Sequence, residues 1–255
     1  MRITNEQVAD GIAERDFELD VAGERVPGVL WAPAEPDGPL PLVLMGHGGS
    51  QHKRIDTLVA RANRYVTRLG FAVAAIDAPG HGDRTTPEEA AQRIEAIRRR
   101  IAERRPADPE LVKDMVARTA KAAPEWNATL DALQELDIVG SGGPVGYWGV
   151  SMGTRYGVPL VAAEPRIRAA VLGLFGWAEG PRLAGYDDEA RKVTVPLLFL
   201  VQWDDEVAAR DYALALFDLF GSTTKTLHAN PGRHVEIPGA EYQASEAFFA
   251  LHLLS

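Results

Sequence analysis

The chain has 255 residues, 46% of them hydrophobic, and it contains no cysteine. Its formal net charge of −9 would repel a nucleic-acid backbone, and the lack of cysteine excludes disulfides, thiolate metal sites and a cysteine nucleophile. The amino-terminal residues are charged throughout and no stretch is apolar for long enough to cross a bilayer, so we expect one cytoplasmic domain, residues 1–255, without nucleic-acid or membrane partners.

The amino-terminal part of the chain predicts an antiparallel hairpin at the edge of a sheet. Phe17, Leu19 and Val21 alternate with polar residues, as in a strand that is buried on one face only. The sequence AGER then turns the chain, and VPGVLW continues as a second strand.

Four later apolar runs predict the parallel part of the same sheet, because none of them alternates polar with apolar residues. They begin at Leu42, Ala72, Ala170 and Leu197. Helical patterns lie between them, and the segments YWGV and KTLHA add two more strands. The sequence therefore predicts an α/β fold with about eight mostly parallel strands and helices on both faces.

Residues 86–122 predict a helical hairpin inserted after the fourth predicted strand of the chain, the one that begins at Ala72. TPEE from Thr86 is a capping box with proline in the first turn, and a second helix start follows at Asp108. The first helix has an apolar face formed by Ala90, Ile94, Ile97 and Ile101. Only a third helix, from Glu125, is needed to connect to the next strand. The hairpin is therefore an insertion, and we expect it to be a candidate lid.

The sequence GVSMG predicts a nucleophilic serine. Ser151 stands between Gly149 and Gly153 where an apolar strand gives way to a helix. A turn this tight exposes the serine and leaves room only for glycine or very small residues two positions to either side. The amide of Met152 would point to where the oxyanion of an attacked carbonyl develops. A glycine-rich turn that serves packing alone is the alternative.

A second oxyanion donor is expected from the loop after the LVLM strand, which reads GHGGSQHKR. Glycines there allow a backbone amide to approach the substrate, and we favour Gly49 over Gly48. His47 precedes the serine in the chain and belongs to this loop, so we expect it to stabilise the turn and not to act as a base.

The acid and the base are expected after the serine in the chain, each at the carboxyl end of a later strand. The LLFLV strand ends in QWDDEV, which offers Asp204 and Asp205. We favour Asp204, because it is closer to the strand end and Val207 could fold back as an apolar anchor for its loop. His234 follows the last strand in a loop, whereas the two other histidines after the acids fall within a predicted strand and the final helix.

Taken together, these motifs resemble those of α/β hydrolases, nearest to the dienelactone hydrolase and related esterase group. The matching segments are GHGG, DAPGHGDR, GVSMG, QWDDEV and PGRH, in that order along nearly the whole chain. The resemblance implies a serine hydrolase without cofactors, with Ser151, Asp204 and His234 as the triad. The usual acid loop of the family, aspartate then two residues then valine, matches Asp204 and Val207.

The chain departs from this family in two ways. Dienelactone hydrolases proper use a cysteine nucleophile, and many relatives carry their cap after the sixth strand, where this chain has only about twenty residues. A small-molecule ester is the expected substrate, and a lactone, an amide or peptide, or acyl transfer are alternatives on the same triad. A hydrolase-shaped binding protein without turnover is a further alternative.

Several other residues have both a functional and a structural interpretation. Trp177 and Trp203 follow strand ends and could wall a substrate pocket, although core packing is nearly as favoured. DAPGHGDR brings Asp77, His81 and Asp83 together, but a tight turn is favoured over a metal site. The sequence does not choose whether Lys53 and Arg54 contact a substrate carboxylate or merely begin a helix.

Arginines cluster in the predicted hairpin of an otherwise acidic chain. They are Arg93, Arg98, Arg99, Arg100, Arg104 and Arg105. Such a cluster could draw anionic substrates toward the mouth of the site. A solvated helix face that also carries Glu95 and Glu103 is the favoured interpretation.

Overall fold

All nine strands of the chain belong to one sheet, in the order β1-β2-β3-β5-β4-β6-β7-β8-β9. The computed structural model describes residues 1–103, 109–176 and 185–254. In chain order the strands are β1 (Arg2–Ala9), β2 (Ile12–Val21), β3 (Glu24–Pro33), β4 (Leu42–Gly46), β5 (Ala72–Ile76), β6 (Val145–Gly149), β7 (Ile167–Gly173), β8 (Leu197–Gln202) and β9 (Lys225–Asn230). Strands β4 to β9 run parallel, and β1 to β3 extend the sheet antiparallel beyond β5.

Helices cover both faces of this sheet. They are α1 (Asp56–Leu69), α2 (Pro87–Ala102), α3 (Pro109–Gln134), α4 (Met152–Ala163), α5 (Tyr186–Lys192), α6 (Arg210–Leu219) and α7 (Ala240–Leu253), with a 3₁₀ turn at Gly82–Arg84. Helices α1 and α7 pack on one face, where Tyr65 meets Phe249 edge to face, and α3 to α6 pack on the other. The predicted fold class is confirmed.

No helix of the described residues combines the length and hydropathy that a bilayer crossing needs.

The central strands form because their residues are apolar on both faces. Every residue of β4, β5, β6 and β8 is buried, as the uninterrupted apolar runs predict. The parallel arrangement brings the carboxyl ends of these strands to one edge of the sheet, and ligands of open α/β sheets bind outside that edge.

The edge strand β1 is not among the strands that the sequence predicts, so the expected hairpin of β2 and β3 lies one strand inside the edge. All eight residues of β1 are exposed, which removes the apolar alternation that identifies a strand. The strand pairs with β2 over its whole length and is held by cross-strand ion pairs such as Arg15 with Glu6 at 2.8 Å.

The prediction of separate helices starting at Asp108 and Glu125 is wrong, because α3 continues from Pro109 to Gln134 with Pro124 inside it. The proline side chain is exposed. After Pro124 the buried side chains of Trp126, Leu130 and Leu133 anchor the helix on the sheet. Tertiary packing therefore overrides the helix-breaking tendency of one proline.

The predicted insertion, residues 86–122, consists of α2 and the first half of α3, and residues 104–108 between them lie outside the described part. Helix α2 begins with the expected capping box, in which the Glu89 carboxylate accepts from the Thr86 amide at 3.0 Å. Its apolar positions Ala90, Ile94 and Ile97 are only half-buried. Arg98 and Arg99 are exposed, as the solvated-face interpretation predicts.

We expect Pro124→Ala to stabilise the protein. Within a helix, proline removes one backbone hydrogen bond and crowds the preceding turn, at a cost of about 3 kcal/mol relative to alanine in exposed helix interiors. Urea denaturation should therefore give a free energy of unfolding at least about 1 kcal/mol higher for the variant.

Pro109→Ala is the matched control, because Pro109 is the first residue of the same helix, where proline is favoured. An unchanged or lower stability of Pro124→Ala would indicate that the helix is interrupted at this residue.

Candidate active site

Ser151 occupies a sharp turn between β6 and α4. Its backbone has φ 58° and ψ −118°, a conformation that non-glycine residues rarely adopt. A Cβ atom at Gly149 would lie 2.8 Å from the Tyr147 hydroxyl, and one at Gly153 would lie 2.6 Å from the Gly46 carbonyl oxygen. Both positions therefore admit only glycine, and the crowded turn holds the Ser151 side chain out at the carboxyl edge of the sheet.

A line of hydrogen bonds joins Ser151, His234 and an aspartate. The His234 Nε2 atom lies 3.0 Å from Ser151 Oγ, and its Nδ1 atom lies 2.7 Å from Asp205 Oδ2. The Asp205 carboxyl is almost fully buried, and its other oxygen accepts from the amides of Val207 and Ala208 at 2.7 Å each. Both oxygens of this carboxylate are thus engaged, which fixes its orientation toward the imidazole.

The preference for Asp204 as the partner of His234 is therefore corrected by the geometry. Asp204 is exposed, and the one donor to its carboxylate among the described residues is the Gly232 amide, at 3.4 Å. Val207, expected as an apolar anchor, is 43% exposed. The acid loop begins with a turn closed by the Asp205 side chain, so the second aspartate, and not the first, faces the histidine.

Three consecutive acidic residues hold the loop that carries His234. The Asp204 amide donates to the Gly232 carbonyl at 3.0 Å, and the His234 amide donates to Glu206 Oε2 at 3.1 Å. Burial acts to raise the pKa of Glu206, but the amide hydrogen bonds and the charge of Arg233 lower it overall. Glu206 was not among the residues predicted from the sequence, although the unbroken run of acidic residues after a buried strand is a visible signal.

Met152 and Gly49, the two residues expected to supply oxyanion donors, lie next to each other. The amide of Met152 is at the first residue of α4, where helix N–H groups have no partner in the preceding turn. A Cβ atom on Gly49 would lie 4.0 Å from Met152 Cβ, which brings the two residues together. The Gly48 amide donates to Gln51 Oε1 at 2.9 Å and is therefore occupied. This arrangement favours Gly49 over Gly48 as a donor to a ligand.

His47 stabilises the loop that carries Gly49. Its Nδ1–H donates to the Gly48 carbonyl at 2.8 Å, and its Nε2 accepts from the Ala78 amide at 3.0 Å. Burial lowers the pKa of His47, which keeps the ring neutral and able to accept. The residue thus joins the loops after β4 and β5, in agreement with the structural interpretation from the sequence.

A buried ion pair fastens the same two loops. Lys53 Nζ lies 2.7 Å from the fully buried Asp77 carboxylate and 2.6 Å from Asp83. The Asp77 carboxylate also accepts from the amides of Lys53 and Asp83. Lys53 is therefore engaged inside the protein and unavailable to a substrate, and Arg54 pairs with Glu14 and Asp16 on β2.

The segment DAPGHGDR forms a tight turn. His81 is buried with its Nδ1 near the Pro79 carbonyl, and burial together with the charge of neighbouring groups lowers its pKa to about 3. Within residues 1–103, 109–176 and 185–254, no three metal-ligating side chains come together.

Of the two tryptophans suggested as pocket walls, the structure describes only Trp203. Trp203 lies just beyond β8 beside the acid loop and is 47% exposed, with the Arg210 guanidinium 4.1 Å from its ring centroid. Trp177 lies outside the described residues.

Solved structures similar to this chain include several esterases. A cold-adapted esterase from an Arctic intertidal metagenomic library is 34% identical, with 99% of this chain and 100% of that chain covered and a TM-score of 0.82. Est1E from Butyrivibrio proteoclasticus with ferulic acid bound is 17% identical, covering 94% and 100% of the two chains, with a TM-score of 0.69. An acetyl xylan esterase from Paenibacillus sp. R4 is 15% identical, covering 99% and 88%, with a TM-score of 0.71.

The second and third of these likenesses support the fold alone, because their identities are low. No protein-family model matches the chain, and no curated protein matches it.

We expect Lys53→Met to lower the free energy of unfolding by about 3 kcal/mol or more, because the substitution leaves the buried Asp77 carboxylate without a counter-charge. Urea denaturation followed by circular dichroism measures this loss.

The control is Lys121→Met, which removes an exposed ion pair with Glu24 and should cost less than about 1 kcal/mol. Equal losses in the two variants would contradict a special role for the buried pair.

Proposed function

This chain belongs to the α/β-hydrolase superfamily, and from that membership we propose that it is a serine hydrolase that cleaves carboxylic esters through an acyl-enzyme. The observation that carries the proposal is the line of hydrogen bonds from Asp205 through His234 to Ser151. The similarity to a cold-adapted esterase over nearly the whole chain supports ester hydrolysis as the reaction.

In the proposed first step, His234 removes the proton from Ser151 as the serine oxygen attacks the ester carbonyl. Asp205 accepts from Nδ1–H and so keeps the proton-free nitrogen, Nε2, directed at the Ser151 hydroxyl. The carboxylate also stabilises the imidazolium that forms when Nε2 takes the proton. Glu206 and Asp204 position the loop, because each of them binds its backbone.

The carbonyl oxygen becomes negatively charged during this attack, and we assign its stabilisation to the amides of Met152 and Gly49. Oriented amide donors stabilise an oxyanion strongly, since they need no reorganisation during the reaction. The imidazolium of His234 then protonates the leaving alcohol. A water molecule, activated by the same imidazole, releases the acid from Ser151.

The insertion is proposed to border the substrate site. Ala122 of α3, Tyr156 of α4 and Ala78 form a small buried cluster with Met152, next to the proposed nucleophile. The partly exposed ring of Trp203 is proposed as a second wall, at the side of the acid loop. An apolar wall with few polar groups is typical of sites for small organic ligands.

We expect Asp205→Asn to lower kcat for p-nitrophenyl butyrate by about 10⁴-fold, because the amide would hold the imidazole in the wrong tautomer. Ser151→Ala should remove turnover while the circular dichroism spectrum stays unchanged. Initial rates of nitrophenol release measure both effects.

Asp204→Asn is the matched control, a neighbouring carboxylate that does not touch the imidazole, and should retain activity within a few-fold. Loss of activity in Asp204→Asn with full activity in Asp205→Asn would contradict the assignment. Undiminished turnover in Ser151→Ala would contradict the proposed function itself.

A further inference from the structure

Arg155 lies one helical turn after the proposed nucleophile, and its amide donates to the Ser151 carbonyl at 3.1 Å. Side chains on a helix lean toward its amino terminus, so a residue at this position covers the turn that begins at Ser151. The Arg155 Nη2 atom donates to the Tyr156 hydroxyl at 3.0 Å, and its guanidinium carbon lies 4.8 Å from the Tyr156 ring centroid. Because Tyr156 packs in one buried cluster with Met152, the hydrogen-bonded pair of Arg155 and Tyr156 contacts the residue that carries the proposed oxyanion donor.

Within the described residues, the Arg155 guanidinium has no counter-charge. Arg155 is only 8% exposed, and its Nε atom is buried without a hydrogen-bond acceptor in that part of the chain. Its side-chain hydrogen bond goes to the Tyr156 hydroxyl, and no described carboxylate lies at ion-pair distance from it. A buried cation is costly unless an anion accompanies it, so this part of the molecule is short of a negative charge.

Arg93 of the insertion is a second cation near this cluster. Its Nη1 donates at 2.6 Å to the carbonyl of Gly80, two residues after Ala78 of the cluster, and within the described part of the chain it forms no ion pair. Burial and the nearby Arg118 lower the pKa of Arg93, whereas Asp114, Glu89 and Tyr156 act to raise it. Arg118 itself is paired with Asp114 at 2.8 Å.

We propose that Arg155, together with Tyr156 and Arg93, forms a subsite for a carboxylate carried by the ester substrate. The inference rests on the proposed ester hydrolysis and names its substrate class, an ester that is anionic at neutral pH. Arg155 Nε–H and the Tyr156 O–H are two donors without an acceptor among the described residues. A carboxylate offers two acceptor oxygens and the missing negative charge, and charge-assisted hydrogen bonds to arginine are strong.

The test compares two esters of equal chain length, neutral methyl hexanoate and anionic monomethyl adipate, in the wild-type protein and in Arg155→Gln. The wild type should favour the anionic ester in kcat/KM by about tenfold or more, the effect of one charge-assisted hydrogen bond. Arg155→Gln should abolish this preference by raising KM for monomethyl adipate. Its kcat/KM for methyl hexanoate should stay within about twofold of the wild-type value.

The variants Arg155→Lys, Arg93→Gln and Arg191→Gln complete the comparison. Lysine should retain part of the preference, and Arg93→Gln should reduce it by about threefold, since this guanidinium acts at longer range. Arg191→Gln removes an equal charge from an exposed pair with Asp188 and should change nothing. If Arg155→Gln does not fold, an unchanged preference in Arg93→Gln contradicts the proposal.

An equal loss on both esters in Arg155→Gln would indicate a structural role and overturn the proposal. A second pair, propyl butyrate and 2-butyryloxyacetate, places the carboxylate on the alcohol part. The pair that shows the preference identifies which part of the substrate lies against Arg155. Absence of preference in both pairs contradicts the subsite.

Calorimetry on Ser151→Ala separates this proposal from the proposed function, because it requires no turnover. Adipate should bind to Ser151→Ala at least about tenfold more tightly than to the Ser151→Ala, Arg155→Gln double variant. Adipate binding without hydrolysis of any ester by the wild type would contradict the esterase proposal and support the anion site. Hydrolysis of methyl hexanoate without adipate binding would support the esterase proposal and contradict the anion site.

Discussion

The backbone of Ser151 is the constraint on which the site depends. Its positive φ, with ψ at −118°, is unfavourable for a residue with a Cβ, and the surrounding structure must hold it in place. Gly149 and Gly153 make this possible, because the Tyr147 hydroxyl and the Gly46 carbonyl fill the space their side chains would need. The amide of Ser151 also donates to the Gly173 carbonyl at 2.9 Å, which ties the turn to the neighbouring strand.

The fold could be predicted largely from the sequence, because the strands that build it are buried on both faces. Uninterrupted apolar runs predicted the parallel strands, and the helical patterns between them predicted that strands and helices alternate along the chain. The fully exposed strand β1 could not be found, because its pairing depends on backbone hydrogen bonds that leave no apolar pattern. The continuity of α3 through Pro124 was also hidden, since it comes from contacts of Trp126 and Leu130 with the sheet.

The candidate site was predictable in its chain order and less so in its details. The sequence located Ser151 and His234, which the fold brings to 3.0 Å of each other. The choice between adjacent aspartates was wrong, because it depends on how a turn closes: Asp205 binds the amides of Val207 and Ala208 and so directs its other oxygen at the imidazole. Lys53 likewise carried two open interpretations, and the buried Asp77 that engages it became visible only in three dimensions.

In the proposed mechanism, Ser151 is a nucleophile that the adjacent imidazole makes reactive. Treatment of the native protein with a fluorophosphonate, followed by mass spectrometry of its peptides, tests this reactivity. We expect a phosphonyl group on the peptide that contains Ser151, and none on that peptide when His234 is replaced by alanine. An unmodified Ser151 in the native, folded protein, or modification of a different serine, would contradict it.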